Sequence, residues 1–82
     1  MAIKTALTTT QPEIGQLVRE LRYLTQLTQE EFAHLLGVSY PTVSRWENGH
    51  AQPSPLAIHK IELQLREMGN SGLDLMERYL HQ

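Results

Sequence analysis

Four histidines, His34, His50, His59 and His81, and the carboxylate pair Glu30-Glu31 are the first residues whose types could do chemistry. No two histidines stand three or four apart, and the chain has no cysteine, so neither a zinc site nor a thiolate nucleophile is expected. Glu30-Glu31 falls where a helix begins, and negative charge there complements the helix dipole. No nucleophile–base pairing, glycine-rich phosphate loop or metal motif occurs, so the chain reads as neither an enzyme nor a cofactor carrier. The remaining chemistry is hydrogen bonding from a surface. Tyr40, Pro41, Ser44 and Arg45 are neighbours on one side of a helix, and that side holds one arginine and no large aliphatic residue. A solvated helix face more often carries several Lys and Glu. A small, polar, hydrogen-bonding face suits insertion into the major groove of double-stranded DNA, about 12 Å wide.

The elements that must position this face are legible from caps and periodicity. Residues 1–11 are rich in threonine and lack a helical period, so they read as a flexible arm, with a short strand through Ile3 and Leu7 as the alternative. Thr10 and Glu13 have capping-box spacing, Pro12 suits a first turn, and Ile14, Leu17, Val18, Leu21 and Leu24 form one apolar face. Thr28 and Glu31 form a second box, before a helix whose inward stripe is Phe32, Ala33 and Leu36. Gly37 ends that helix, Ser39 caps the next, and Asn48-Gly49 closes it. The link Gly37-Val38-Ser39 is too short for antiparallel stacking and forces the two helices to cross steeply. Val38 then plugs the junction, and Val43 and Trp46 point inward with it. Ser54 and Pro55 start a fourth helix with the stripe Ile58, Ile61, Leu65 and Met68. Ser71 and Asp74 have the spacing to cap a fifth, running through Leu80.

The expected fold is therefore all-α: a compact five-helix bundle with a helix-turn-helix made by the second and third helices. Its organisation is an arm at 1–11, a domain at 12–69 and a C-terminal helix at 70–82. Eighty-two residues, 40% of them apolar, suffice for one modest core. No apolar run approaches a membrane span, the N-terminus does not read as a signal peptide, and a cytoplasmic location is the default. The net charge of −2 limits how much nonspecific DNA affinity one copy can have, because phosphate neutralisation supplies most of that affinity.

From Ile14 to Met68 the chain resembles the phage repressor and Cro-like, or XRE, helix-turn-helix family. The matching words are Leu21-Arg22, Leu27 to Ala33, Leu36-Gly37-Val38-Ser39, Val43-Ser44, Trp46-Glu47-Asn48-Gly49 and Pro53-Ser54, in one register. The resemblance implies that Tyr40, Pro41, Ser44 and Arg45 read bases. It implies phosphate contacts from Gln29, Ser39, Thr42 and Asn48, and a buried ion pair between Arg22 and Glu47. Periodicity supports that pair: Glu47 is four after inward-facing Val43, and Arg22 four after Val18. Family members often carry glutamine or lysine where Tyr40 and Pro41 stand, so readout there is expected to be apolar, against thymine methyl groups.

The function implied is that of a prokaryotic transcriptional regulator working as a homodimer on DNA. The stripe Leu73, Met76, Tyr79 and Leu80 either folds back onto the first and fourth helices or meets its twin from a second subunit. The acidic balance favours an alternative, an antitoxin-like or adaptor module on the same fold whose partner is a protein such as a toxin.

Overall fold

The computed structural model describes residues 6–81. Five helices follow one another: α1 (Glu13–Thr25), α2 (Gln29–Leu36), α3 (Tyr40–Glu47), α4 (Pro55–Glu67) and α5 (Asn70–Arg78). Two short strands, β1 (Ala6–Leu7) and β2 (Leu80–His81), pair antiparallel and bring the two ends of the described chain together. The all-α expectation holds for the five helices that carry most of the core, and strand β1 adds one core residue, Leu7. Residues 6–11, expected to belong to the arm, lie against the domain: Leu7 is buried, and the Thr8 amide donates to the Tyr79 carbonyl at 2.8 Å. Ile3, the other residue of the alternative strand, lies outside the described residues.

Three of the expected caps form. Thr28 and Glu31 make a complete capping box, with the Glu31 amide at 3.1 Å from Thr28 Oγ1 and the Thr28 amide at 2.9 Å from Glu31 Oε1. Ser39 caps α3 and Ser54 caps α4, with Pro55 at the first helical position. Two expected caps do not form. Helix α1 starts at Glu13 with Pro12 as its cap residue, so Thr10 lies two positions upstream of the cap and its side chain does not cap the helix. Gln11 takes the role, its Oε1 accepting from the Gly15 amide at 3.1 Å. Helix α5 starts at Asn70, which leaves Ser71 already inside the helix. Gly69, with φ of +70°, stands at the cap position and has no side chain to offer the first amides.

The core is built from Ile14, Leu17, Val18 and Leu21 of α1, Phe32, Ala33 and Leu36 of α2, Val43 and Trp46 of α3, and Ala57, Ile61 and Leu65 of α4. Val38 is half-buried at the α2–α3 junction, and Leu24, expected inside, is 39% exposed at the end of α1. The fifth helix folds back on its own domain, packing on α4 and α1. Its buried face is Gly72, Leu75 and Met76, with Tyr79 half-buried on the same stripe. Of the four residues expected to form its apolar stripe, Met76 and Tyr79 face inward, whereas Leu73 and Leu80 are 46% and 36% exposed. Gly72 decides the phase. A β-carbon there would stand 1.9 Å from the Leu65 carbonyl oxygen, so only glycine lets α5 lie this close to α4.

Candidate nucleic-acid interface

Helix α3 presents two faces of opposite character. Its inner face buries Val43, Trp46 and Glu47. Its outer face exposes Tyr40, Pro41 and Arg45, with Ser44 and Thr42 half-buried at the margins. The turn that sets the crossing is Gly37, at φ +73°, where its amide closes α2 on Ala33 and His34 carbonyls. The Lys60 ammonium donates to the Leu36 carbonyl at 3.1 Å, so the end of α2 is also held from α4.

Glu47 anchors the inner face. Its side chain is 1% exposed, and Arg22 grips it with Nε at 2.7 Å from Oε2 and Nη2 at 3.0 Å from Oε1. The same guanidinium donates from Nη1 to the Leu27 carbonyl at 3.3 Å, tying the α1–α2 turn into the cluster. Burial pushes the Glu47 carboxyl up. Hydrogen bonds from Arg22 and Gln29, with the charges of Arg22 and Arg19, outweigh that and hold it below the ordinary carboxylate value. The hydrogen bond to Glu47 in turn raises the Arg22 value, so both members stay ionised.

Gln29, expected at a phosphate, points its amide at this cluster: Nε2 donates to Glu47 Oε1 at 3.0 Å. Ser39 and Thr42 share a hydroxyl contact at 2.7 Å, and Asn48 Nδ2 donates to Ser44 Oγ at 3.3 Å. The four residues expected to meet phosphates are thus all held by α3 or its cap. Arg45 differs: its guanidinium enters no ion pair among the described residues.

Two positioning residues were missed by the sequence reading. Arg19 donates from Nη2 to the Glu47 carbonyl at 3.2 Å, and its Nε is 3.7 Å from Glu47 Oε1. Its place three residues before Arg22, on the same side of α1, was the available signal. Gln11 donates to the Trp46 carbonyl at 2.9 Å and the Ala51 carbonyl at 2.6 Å, so one amide closes α3 onto the start of α1. Gly15 permits that approach, because a β-carbon there would be 2.4 Å from the Trp46 carbonyl oxygen. Nothing in the local sequence marks Gln11 for this role.

The outcome is a short helix held rigidly from behind by Glu47, Gln11 and a tryptophan, with a small, polar and cationic outer face. A family model described as helix-turn-helix matches residues 17–67, more than half of the chain, from within α1 to the end of α4. Neither a curated protein nor a solved structure matches the chain. Among the described residues no helix is long and apolar enough to cross a membrane. The Gly37 turn joining α2 to α3, the buried Arg22–Glu47 pair and the matched span agree: this chain belongs to the XRE-type helix-turn-helix family of DNA-binding regulators.

Proposed function

We propose that the protein is a sequence-specific transcriptional regulator that reads the major groove with the outer face of α3. The observation that carries this reading is the pairing of an unengaged Arg45 with an inner face whose buried carboxylate, Glu47, is held by Arg19, Arg22 and Gln29. Arg45 then makes the bidentate contact that arginine makes to guanine O6 and N7, with Ser44 beside it. Tyr40, 50% exposed, and Pro41 offer apolar contact to thymine methyl groups. Gln29, Ser39, Thr42 and Asn48 fix register on phosphates. The Gln29 amide has two hydrogens, so it holds Glu47 with one and offers the other to a phosphate.

The working unit on this reading is a homodimer on a near-palindromic site, acting in the cytoplasm. Leu73 and Leu80 remain available for the joining surface; Met76 and Tyr79 are committed to their own domain. The net charge of −2 supports a second reading, an antitoxin-like or adaptor module whose main partner is a protein. Selection from random duplex DNA separates the two. A regulator enriches one motif with two related half-sites, whereas an adaptor enriches none.

A further inference from the structure

A cleft of about 380 Å³ opens beside the outer face of α3, between that helix and the segment leading to α4. Its apolar part comes from Val38 and Ala51, and Arg45, Trp46, Gln52 and Ser54 also line it. Trp46 is only 3% exposed. Its indole nitrogen is a donor with no second role, and a buried tryptophan normally finds that nitrogen an acceptor. Here it has none among the described residues. Every fully enclosed side-chain nitrogen and oxygen among them does have a partner, so the Trp46 N–H is not fully enclosed, and the cleft is an opening that Trp46 lines. A phenylalanine would fill the same core without leaving a polar atom at its edge.

The cationic inventory says what such a donor is for. Arg22 is spent on Glu47, Arg19 on Glu47 and its carbonyl, Lys60 on the Leu36 carbonyl, and Arg78 on Glu20. A chain of net charge −2 with most of its described cations engaged must hold a polyanion largely through neutral donors. Ser54 is such a donor. Its Oγ accepts from the Ala57 amide at 3.2 Å, which leaves the hydroxyl hydrogen free to be given away. Exposed Gln52 adds an amide, and Arg45 supplies the one charge at the rim.

We infer that this cleft seats one backbone phosphate of the duplex, with the Trp46 indole N–H as its fixed donor and Ser54 beside it. The assignment rests on the DNA-binding reading above. Trp46 is anchored in the core, so the seat is preorganised and sets the depth and register of α3 in the groove without reading sequence. The apolar wall formed by Val38 and Ala51 excludes water and strengthens each hydrogen bond made there.

The test uses the full chain, DNA selected by the wild-type protein, and the fact that Trp46 is the sole tryptophan. Trp46→Phe is expected to weaken binding about tenfold, equally on the best site and on mismatched sites. The slope of log affinity against log salt is expected to stay as in wild type, since no charge is lost. A readout on the unsubstituted protein removes dependence on how well the variant folds. The single indole N–H proton resonance is expected to move downfield and exchange more slowly with water when DNA binds. Wild-type protein that binds its site with an unmoved indole resonance overturns the phosphate seat and leaves the DNA-binding reading standing. Wild-type protein that enriches no sequence overturns that reading and the seat with it.

Discussion

Glu47 is a carboxylate on the buried side of a helix, tolerable only because four side-chain nitrogens converge on it from Arg19, Arg22 and Gln29. Removing it strands the Arg22 guanidinium, and breaking a buried pair from one side costs about 3–5 kcal/mol. Glu47→Ala should therefore lower the thermal melt sharply, and an unchanged melt would show that the pair contributes nothing net. The folded-state value of this carboxyl lies below its ordinary one. The stability it contributes is therefore fully present above about pH 4.3, the ordinary glutamate value, and is lost as pH falls through the lower folded value. Melts measured against pH should show wild type losing stability in acid that Glu47→Gln never had. Arg45 is the opposite case, an arginine on the outside with no ion pair among the described residues. Arg45→Ala should cost about 1–3 kcal/mol of binding and relax specificity at one position per half-site. Equal weakening on all sequences would make it a phosphate contact instead.

At the scale of elements, the placement of α3 depends on two contacts with α1 that lie outside the ion pair. Gln11 caps α1 through Gly15 and holds the Trp46 and Ala51 carbonyls. Gln11→Ala removes a helix cap, typically worth about 1 kcal/mol, and releases two carbonyls at the end of α3. Because 1 kcal/mol shifts the melt of a domain this size by about 4–8 °C, the loss should be plain by circular dichroism. Hydrogen exchange should also quicken at the His50 amide, which closes the end of α3 on the Arg45 carbonyl. Exchange there as slow as in wild type would mean that the loop holds itself. The crossing of α4 and α5 has a comparable dependence on Gly72, where an added methyl meets the Leu65 backbone and the helices must separate.

At the scale of the molecule, the ends of the described chain form a clasp. Strands β1 and β2 pair, Leu7 is buried, and the Tyr79 hydroxyl donates to Glu20 Oε2. Arg78 sits 3.3 Å from the other oxygen of the same carboxylate. Burial, then the hydrogen bond and charge of Glu20, push the Tyr79 hydroxyl up to about 12. A raised value means that this contact stabilises the fold fully below about pH 10, the ordinary tyrosine value. It is lost as pH climbs through about 12. Tyr79→Phe should show a flatter loss of stability in alkali than wild type, and a parallel loss would place the alkaline transition elsewhere. The clasp also changes how dimerisation should be probed. Deleting residues 70–82 would uncover Leu65 and the α1 core, so loss of binding would report unfolding. Leu73→Glu with Leu80→Glu alters only exposed positions. Sedimentation on operator DNA should then show two wild-type copies per site, with third helices about 34 Å apart, and one copy of the double variant. Two copies of the variant would move the joining surface elsewhere.

Much of this was determined by the sequence alone, because helix period and caps act between residues three or four apart. The inward stripes of α1 to α3 apart from Leu24, the Thr28 capping box and the Ser39 and Ser54 caps were legible in that way. The Arg22–Glu47 pair was instead implied by the family resemblance, with periodicity in support. The outer face of α3 was legible as a chemical type. What only the tertiary structure decided involves groups brought together across long separations. Gln29 reaches Glu47 over 18 residues, and Gln11 reaches the Trp46 and Ala51 carbonyls over 35 and 40. The phase of α5 followed from the space left by Gly72 against the Leu65 carbonyl, so Leu75 went inside and Leu73 outside. The open N–H of Trp46 is of the same kind. Periodicity buries the ring, but whether its one donor finds an acceptor depends on which backbone carbonyls the folded chain carries past it.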